Sequence, residues 1–151
     1  MNGFKLILGA LVLTLLASCL KPPNYSFVPE IQFDSISNTS VNQLIDSVTV
    51  VISFTDGDGD LGALNTFPFD TITNLFFKDS RTGSVYRFQF PYITPIGSVK
   101  DISGEIAYTF AGITCRPNRT NDTLHYTVQI ADRAGNLSNE IITPDIYVNC
   151  R

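Results

Sequence analysis

From Ile31 to the C-terminus, apolar and polar residues alternate with a period of two, and no stretch carries a helical period. The clearest run is Ser47 to Phe54. There Val48, Val50, Ile52 and Phe54 share one face, and Val51 is the only apolar residue on the other. Ile31, Phe33 and Ile36 mark an earlier strand, and further strands are predicted at Thr71–Lys78, Val85–Phe90, Ile102–Phe110, Thr123–Ala131 and Glu140–Val148. Between two of them, Asp79-Ser80-Arg81-Thr82-Gly83 has the composition of a hairpin loop, with Gly83 free to take a positive φ. In Thr123–Ala131, Leu124, Tyr126, Val128 and Ile130 alternate with Thr123, His125, Thr127 and Gln129, the pattern of a half-buried strand with one wet face.

About seven short strands separated by turn residues predict an all-β fold, an Ig-like β-sandwich rather than an α/β arrangement. The chain has no Trp for the usual core position of antibody-like domains, which leaves that branch unsupported. No internal repeat is visible, so the sandwich is expected as a single module.

Residues 1–29 break the pattern. Lys5 precedes an apolar run from Leu6 to Leu16, and Leu16-Ala17-Ser18-Cys19 closes it. A charged start, a short apolar stretch and small residues before a cut are the layout of a removable export segment, too short to remain as a spanning helix. With Cys at the cut, the segment resembles the signal of a bacterial lipoprotein. The resemblance implies a signal peptide over residues 1–18 and acylation of Cys19, a thioether-linked diacyl group plus an amide-linked chain such as palmitate. Residues 19–29, with Lys21-Pro22-Pro23-Asn24, read as a Pro-rich tether, and residues 30–151 as the sandwich. Leu20, in place of an Asp, resembles lipoproteins passed to the outer membrane, with the periplasmic and surface faces both open.

Export also settles the cysteines. Once Cys19 carries lipid, Cys115 and Cys150 remain as a pair, and an oxidising compartment favours a disulfide between them. The mature chain of 133 residues holds nine basic and fourteen acidic side chains, a net charge of −5. Such a balance excludes nucleic acid as a partner, since phosphate binding needs clustered Lys and Arg. Membrane attachment is then expected from the lipid alone.

The sharpest candidate site is Asp56-Gly57-Asp58-Gly59-Asp60-Leu61-Gly62, directly after the strongest strand. Three carboxylates at alternate positions on a bendable backbone suit calcium, which takes six to eight hard oxygens. The loop is not an EF-hand, because Leu61 stands where that loop needs Gly and Phe67 where it needs a bidentate Glu. Mutual repulsion among the three acids is a cost that a bound cation would remove; the alternative is a solvated turn in which the aspartates cap their own amides. A second turn, Ala131-Asp132-Arg133-Ala134-Gly135-Asn136-Leu137-Ser138, resembles bacterial Ig-like and cadherin-like modules, and with the Asp loop it resembles domains of Bacteroidota envelope lipoproteins. In an Ig topology the two turns share one end of the sandwich, so Asp132 or Asn136 would complete a site begun by Asp56, Asp58 and Asp60. Alternatively both residues only build their own turn.

Four strings read Asp, hydroxyl, aliphatic: Asp34-Ser35-Ile36, Asp46-Ser47-Val48, Asp70-Thr71-Ile72 and Asp122-Thr123-Leu124. They are similar to the O-glycosylation sequon of Bacteroidota exported proteins, which makes Ser35, Ser47, Thr71 and Thr123 candidate acceptors. A turn Asp before a strand generates the same string.

Catalytic signals are weak. His125 is the only histidine, on the polar face of its strand, with no nucleophile elbow. Glu30, Glu105 and Glu140 show no pairing suited to glycoside hydrolysis. The expectation is therefore a non-enzymatic, lipid-anchored envelope protein, an accessory or interaction module stabilised by calcium, whose partner is an envelope protein or glycan. A carbohydrate-binding lipoprotein of a polysaccharide-uptake system, using rings from Phe90 to Pro95, is the alternative. An envelope hydrolase built around His125 comes third.

Overall fold

The computed structural model describes residues 24–64, 73–95 and 100–150. The signal segment, Cys19, the first half of the tether and Thr71 lie outside the described residues. Within them the chain is all-β, with ten strands: β1 (Glu30–Ile36), β2 (Ser40–Asn42), β3 (Ser47–Asp56), β4 (Leu75–Asp79), β5 (Val85–Phe88), β6 (Ile102–Ala111), β7 (Asn121–Leu124), β8 (Tyr126–Ile130), β9 (Ile141–Ile142) and β10 (Ile146–Asn149). No helix among the described residues is long and apolar enough to cross a membrane.

One sheet has the order β1-β3-β6, antiparallel throughout. The alternation of β3 sets its register. Val48, Val50, Ile52 and Phe54 all face the core, and a slip of one residue would turn the whole set outward. A bulge at Asp34 shifts the β1 register between Phe33 and Ser35. The remaining strands form the orders β5-β4-β8-β9 and β2-β10-β7. These two sheets are continuous through the chain, because β7 leads into β8 across His125 alone and β9 into β10 across Thr143–Asp145.

The two layers meet over an aromatic centre. Phe77 of β4 packs edge-on against Phe110 of β6, with ring centroids 4.9 Å apart, and Phe88 of β5 stacks on Tyr108 of β6 at 3.9 Å. Phe110 in turn stacks on Tyr126 at 4.5 Å. Such pairs add to the area they bury, about 0.5–1.5 kcal/mol each. Among the described residues, eight aromatic side chains (Phe33, Phe54, Phe77, Phe88, Phe90, Tyr108, Phe110 and Tyr126) are thus taken up by the core.

Strand count departs from expectation in two predicted strands and one unpredicted strand. The run Thr123–Ala131 divides at His125, whose N–H and C=O turn sideways to Ser80 Oγ and Ser80 N–H. Glu140–Val148 divides where Thr143 bonds Tyr126: its N–H donates to the Tyr126 carbonyl, and its Oγ1 accepts from the Tyr126 N–H. The short β2 forms because it pairs in parallel with β10, a partner more than a hundred positions away.

The Cys115–Cys150 disulfide forms, with Cα atoms 5.9 Å apart, and fastens the chain end after β10 to the segment before β7. The hairpin loop also forms as expected. Gly83 has φ +71°, and its N–H donates to the Asp79 carbonyl at 2.8 Å.

Candidate metal centre

Several core-facing alternations are bounded by an aspartate. Along β3 the inward residues are Val48, Val50, Ile52, Phe54 and then Asp56; along β7 and β8 they run Asp122, Leu124, Tyr126, Val128, Ile130 and then Asp132. On β4 they are Leu75, Phe77 and Asp79. Strand parity alone therefore drives four carboxylates inside. Buried charge is costly unless it is paired and hydrogen-bonded.

At one end of the sandwich the chain supplies its own counter-ions. Arg81 donates to Asp79 through Nε and Nη2 (2.7 Å for the latter) and to Asp122 Oδ2 through Nη1 at 3.1 Å. Arg116 closes the group with Nη2 2.6 Å from Asp122 Oδ1. The Arg116 hydrogen bond, reinforced by backbone N–H groups of Arg116 and Thr123 and by Arg81, outweighs burial and holds the Asp122 carboxyl far below its ordinary value. Burial alone would raise Asp79, but the hydrogen bonds from Arg81 reverse the balance and lower it. The sequence contained both arginines, yet neither spacing nor periodicity marked them as partners.

The opposite end is built differently. Asp56 is fully buried, and one carboxylate oxygen from each of Asp56, Asp58 and Asp60 lies within 4.8 Å of the others. Second oxygens are occupied: Asp60 N–H donates to Asp56 Oδ2 and Ala134 N–H to Asp60 Oδ2, both at 3.1 Å. The Oδ1 atoms of all three aspartates are buried and have no hydrogen-bond partner. Among the described residues no Lys or Arg forms an ion pair with them. Arg133 is near enough to draw the Asp60 carboxyl down somewhat, but its guanidinium donates to the Leu61 carbonyl at 3.2 Å and lies 4.6 Å from the Tyr92 ring centre.

Electrostatics follow the geometry. Burial, only partly offset by the Asp60 and Gly59 amides and reinforced by the charges of Asp58 and Asp60, pushes the Asp56 carboxyl up to about 6. Asp60 is raised too, first by burial and then by Asp132 and Asp58. Oxygens bound to one Ca²⁺ at 2.3–2.6 Å stand at most about 5 Å apart, so a single ion can reach all three carboxylates. The donor set is all hard oxygen and fits calcium.

Asp132 and Asn136 are brought to the same end, since Leu61 bridges Asp132 and Arg133 N–H donates to the Asp60 carbonyl at 3.2 Å. Both oxygens of Asp132 nevertheless accept from Asn136, one from its N–H and one from Nδ2, each at 2.7 Å. Their observed work is to build the turn that supports Asp60.

The loop is crowded by other segments. Gly57 N–H donates to the Ser26 carbonyl at 2.8 Å, and a Cβ at Gly57 would overlap the Tyr25 and Ser26 carbonyl oxygens. Gly59 takes φ +68° and runs against the Lys100 carbonyl and the Pro95 ring. The glycines thus serve close approach as much as bending.

Other expected site residues fall as follows. Ser35, Ser47 and Thr123 are exposed. His125 Nδ1 meets Asp145 Oδ1 at 3.0 Å on the surface, and Ser80 Oγ accepts from the His125 backbone rather than its ring. Phe90 is buried and Tyr92 half-buried beneath Arg133, so the Phe90–Pro95 segment presents no free aromatic platform. Glu30 and Glu105 flank a shallow depression of about 380 Å³ along β1, β3 and β6. Comparison with protein-family models, with curated proteins and with solved structures found no match.

Proposed function

We propose that this chain is a non-enzymatic, lipid-anchored protein of the outer membrane, an interaction module whose loop end is made rigid by calcium. The observation that carries the metal reading is the trio of buried, unpartnered Oδ1 atoms on Asp56, Asp58 and Asp60. The same fold pairs buried Asp79 and Asp122 with Arg81 and Arg116 and hydrogen-bonds buried Asp132 to Asn136, and at this end it offers a cluster of unpaired hard oxygens instead. An Ig-like sandwich is supported by the pairing pattern. If β1 and β2, β7 and β8, and β9 and β10 each count as one interrupted pass, ten strands reduce to seven. The anchor reading rests on Leu16-Ala17-Ser18-Cys19, and the exposure of Ser35, Ser47 and Thr123 supports glycan attachment there, Ser47 being the one that opens a strand.

The test is thermal unfolding of the purified protein in millimolar calcium and in chelator. Calcium is expected to raise Tm, and the rise is expected to vanish in Asp58→Asn. Identical melting in both buffers overturns the metal reading. Mass spectrometry of the native protein checks acylation at Cys19 and hexose additions at the three hydroxyls.

A further inference from the structure

The chain segment that runs into the sandwich is clipped directly onto the carboxylate loop. Tyr25 N–H donates to Asp101 Oδ1 at 2.8 Å, and the Ser26 carbonyl accepts from Gly57 N–H at 2.8 Å. Asp101 immediately precedes β6 and follows Lys100, whose carbonyl packs on Gly59. Both attachment points of the tether therefore adjoin the acidic loop: Gly57 is part of it, between Asp56 and Asp58, and Asp101 follows Lys100, whose carbonyl packs against Gly59. Pro29 is buried while Phe27 and Val28 are exposed, so the segment is held at these few polar contacts rather than by a large apolar footprint.

We propose that the cation site is a latch for the membrane tether: a divalent cation on Asp56, Asp58 and Asp60 fixes the loop in the shape that receives Tyr25 and Ser26, and its loss frees residues 24–29. The proposal rests on the calcium and lipid-anchor readings given above. The physical argument is one of differential stability. Without a cation, three carboxylates held close together repel one another, and the loop relieves that repulsion by opening. Opening moves Gly57, and the Ser26 carbonyl loses its donor. Local unfolding of this kind is governed by few buried contacts, and the tether has few. Six residues released as extended chain add about 20 Å to the distance over which the domain ranges from its anchor. Calcium would thereby set how far the sandwich stands from the membrane and how firmly it is oriented.

The experiment is hydrogen exchange read by mass spectrometry on the full lipidated protein in detergent, comparing peptides that cover residues 24–31 in millimolar calcium and in chelator. Calcium is expected to slow exchange there by about tenfold or more. In Asp58→Asn the difference between the two buffers is expected to disappear. In Asp101→Ala the calcium-induced rise in Tm is expected to persist while residues 24–31 exchange rapidly in both buffers. If calcium raises Tm in the unmodified protein but leaves exchange over 24–31 unchanged, the latch is overturned and the metal site stands. If calcium leaves Tm unchanged as well, both fall. Chymotryptic cleavage after Tyr25 and Phe27 gives an independent readout, fast in chelator and slow in calcium; equal rates in a calcium-responsive protein overturn the latch.

Discussion

Replacing Asp56 by Asn should stabilise the cation-free protein and abolish the stabilisation that calcium gives. Asp56 is raised to about 6 in the fold by burial and by its neighbours' charges, against an ordinary value of 3.8. A folded-state value above the unfolded one means that the stabilising contribution is complete below about pH 4. It is lost as pH rises through 6. A rise of that size corresponds to about 3 kcal/mol, which the ionised residue takes from the apo fold at neutral pH. Asn imitates the protonated acid: its oxygen keeps the Asp60 amide bond seen at Asp56 Oδ2, and its NH₂ faces the unpartnered oxygens of Asp58 and Asp60. At about 3–4 °C per kcal/mol for a domain of this size, Asp56→Asn should melt about 10 °C higher than the unmodified protein in chelator at pH 7. In calcium at about a hundred times the dissociation constant, the unmodified protein gains about 2.7 kcal/mol that the variant lacks. The order of melting temperatures then narrows or reverses. At pH 4 in chelator the two proteins should melt together. Scanning calorimetry across pH 4–8 with and without calcium provides the assay. A variant less stable than the unmodified protein in chelator at pH 7, or one with an undiminished calcium response, refutes the reasoning.

The arginine end should show the opposite pH sense. Asp79 and Asp122 lie below their ordinary values, so their contribution is present above about pH 4 and is lost as pH falls toward their folded values; urea midpoints should drop steeply on acidification below pH 4. Asp122→Asn leaves Arg81 and Arg116 short of an acceptor and should cost about 3–5 kcal/mol by urea denaturation at pH 7, with an effect under 1 kcal/mol counting against the network. Reduction of Cys115–Cys150 removes the constraint on a separation of 35 residues, worth about 3–4 kcal/mol, and should lower Tm by about 10 °C or more. His125→Ala removes one exposed pair with Asp145 and should change stability by less than about 1 kcal/mol, measured by the same urea titration.

How much of this could be read beforehand depends on whether a feature is local. The β3 alternation was legible from Val48 to Phe54, but the strand runs two residues further than its apolar pattern, to Asp56, and parity places that aspartate on the core face with Val48 and Phe54. The breaks at His125 and Thr143 were not legible. Side-chain alternation passes through His125 undisturbed, from Leu124 to Tyr126, while the backbone partner changes from β10 to β4 and β9. Periodicity reports which face a residue takes and is silent about which strand it pairs with. β2 depends on β10, and the clip at Tyr25 depends on Asp101, so neither carries a local signal. The three clustered aspartates were visible as a motif, whereas the engagement of Asp132 by Asn136 required the turn to be seen.

The two ends of the sandwich apply one rule with different closures. In each case a core-facing alternation runs out on an aspartate, because an inward position at the rim of a sheet must be filled and a carboxylate there can organise the loops beyond it. At the Asp79 and Asp122 end the organising charge is met by guanidinium groups from the same chain, so folding completes it and the medium has little influence above acid pH. At the Asp56 end the nearest guanidinium is turned to the Leu61 carbonyl and the Tyr92 ring, and three oxygens stay unmet. An ion pair from Arg133 to these oxygens would have made this end self-sufficient as well. On the calcium reading proposed above, an open end makes the fold's completion depend on an ion from outside, at the point where residues 25 and 26 meet the acidic loop and Asp101. On that reading, sensitivity to calcium is confined to the end that holds residues 25 and 26, while the disulfide and the arginine pairs secure the other.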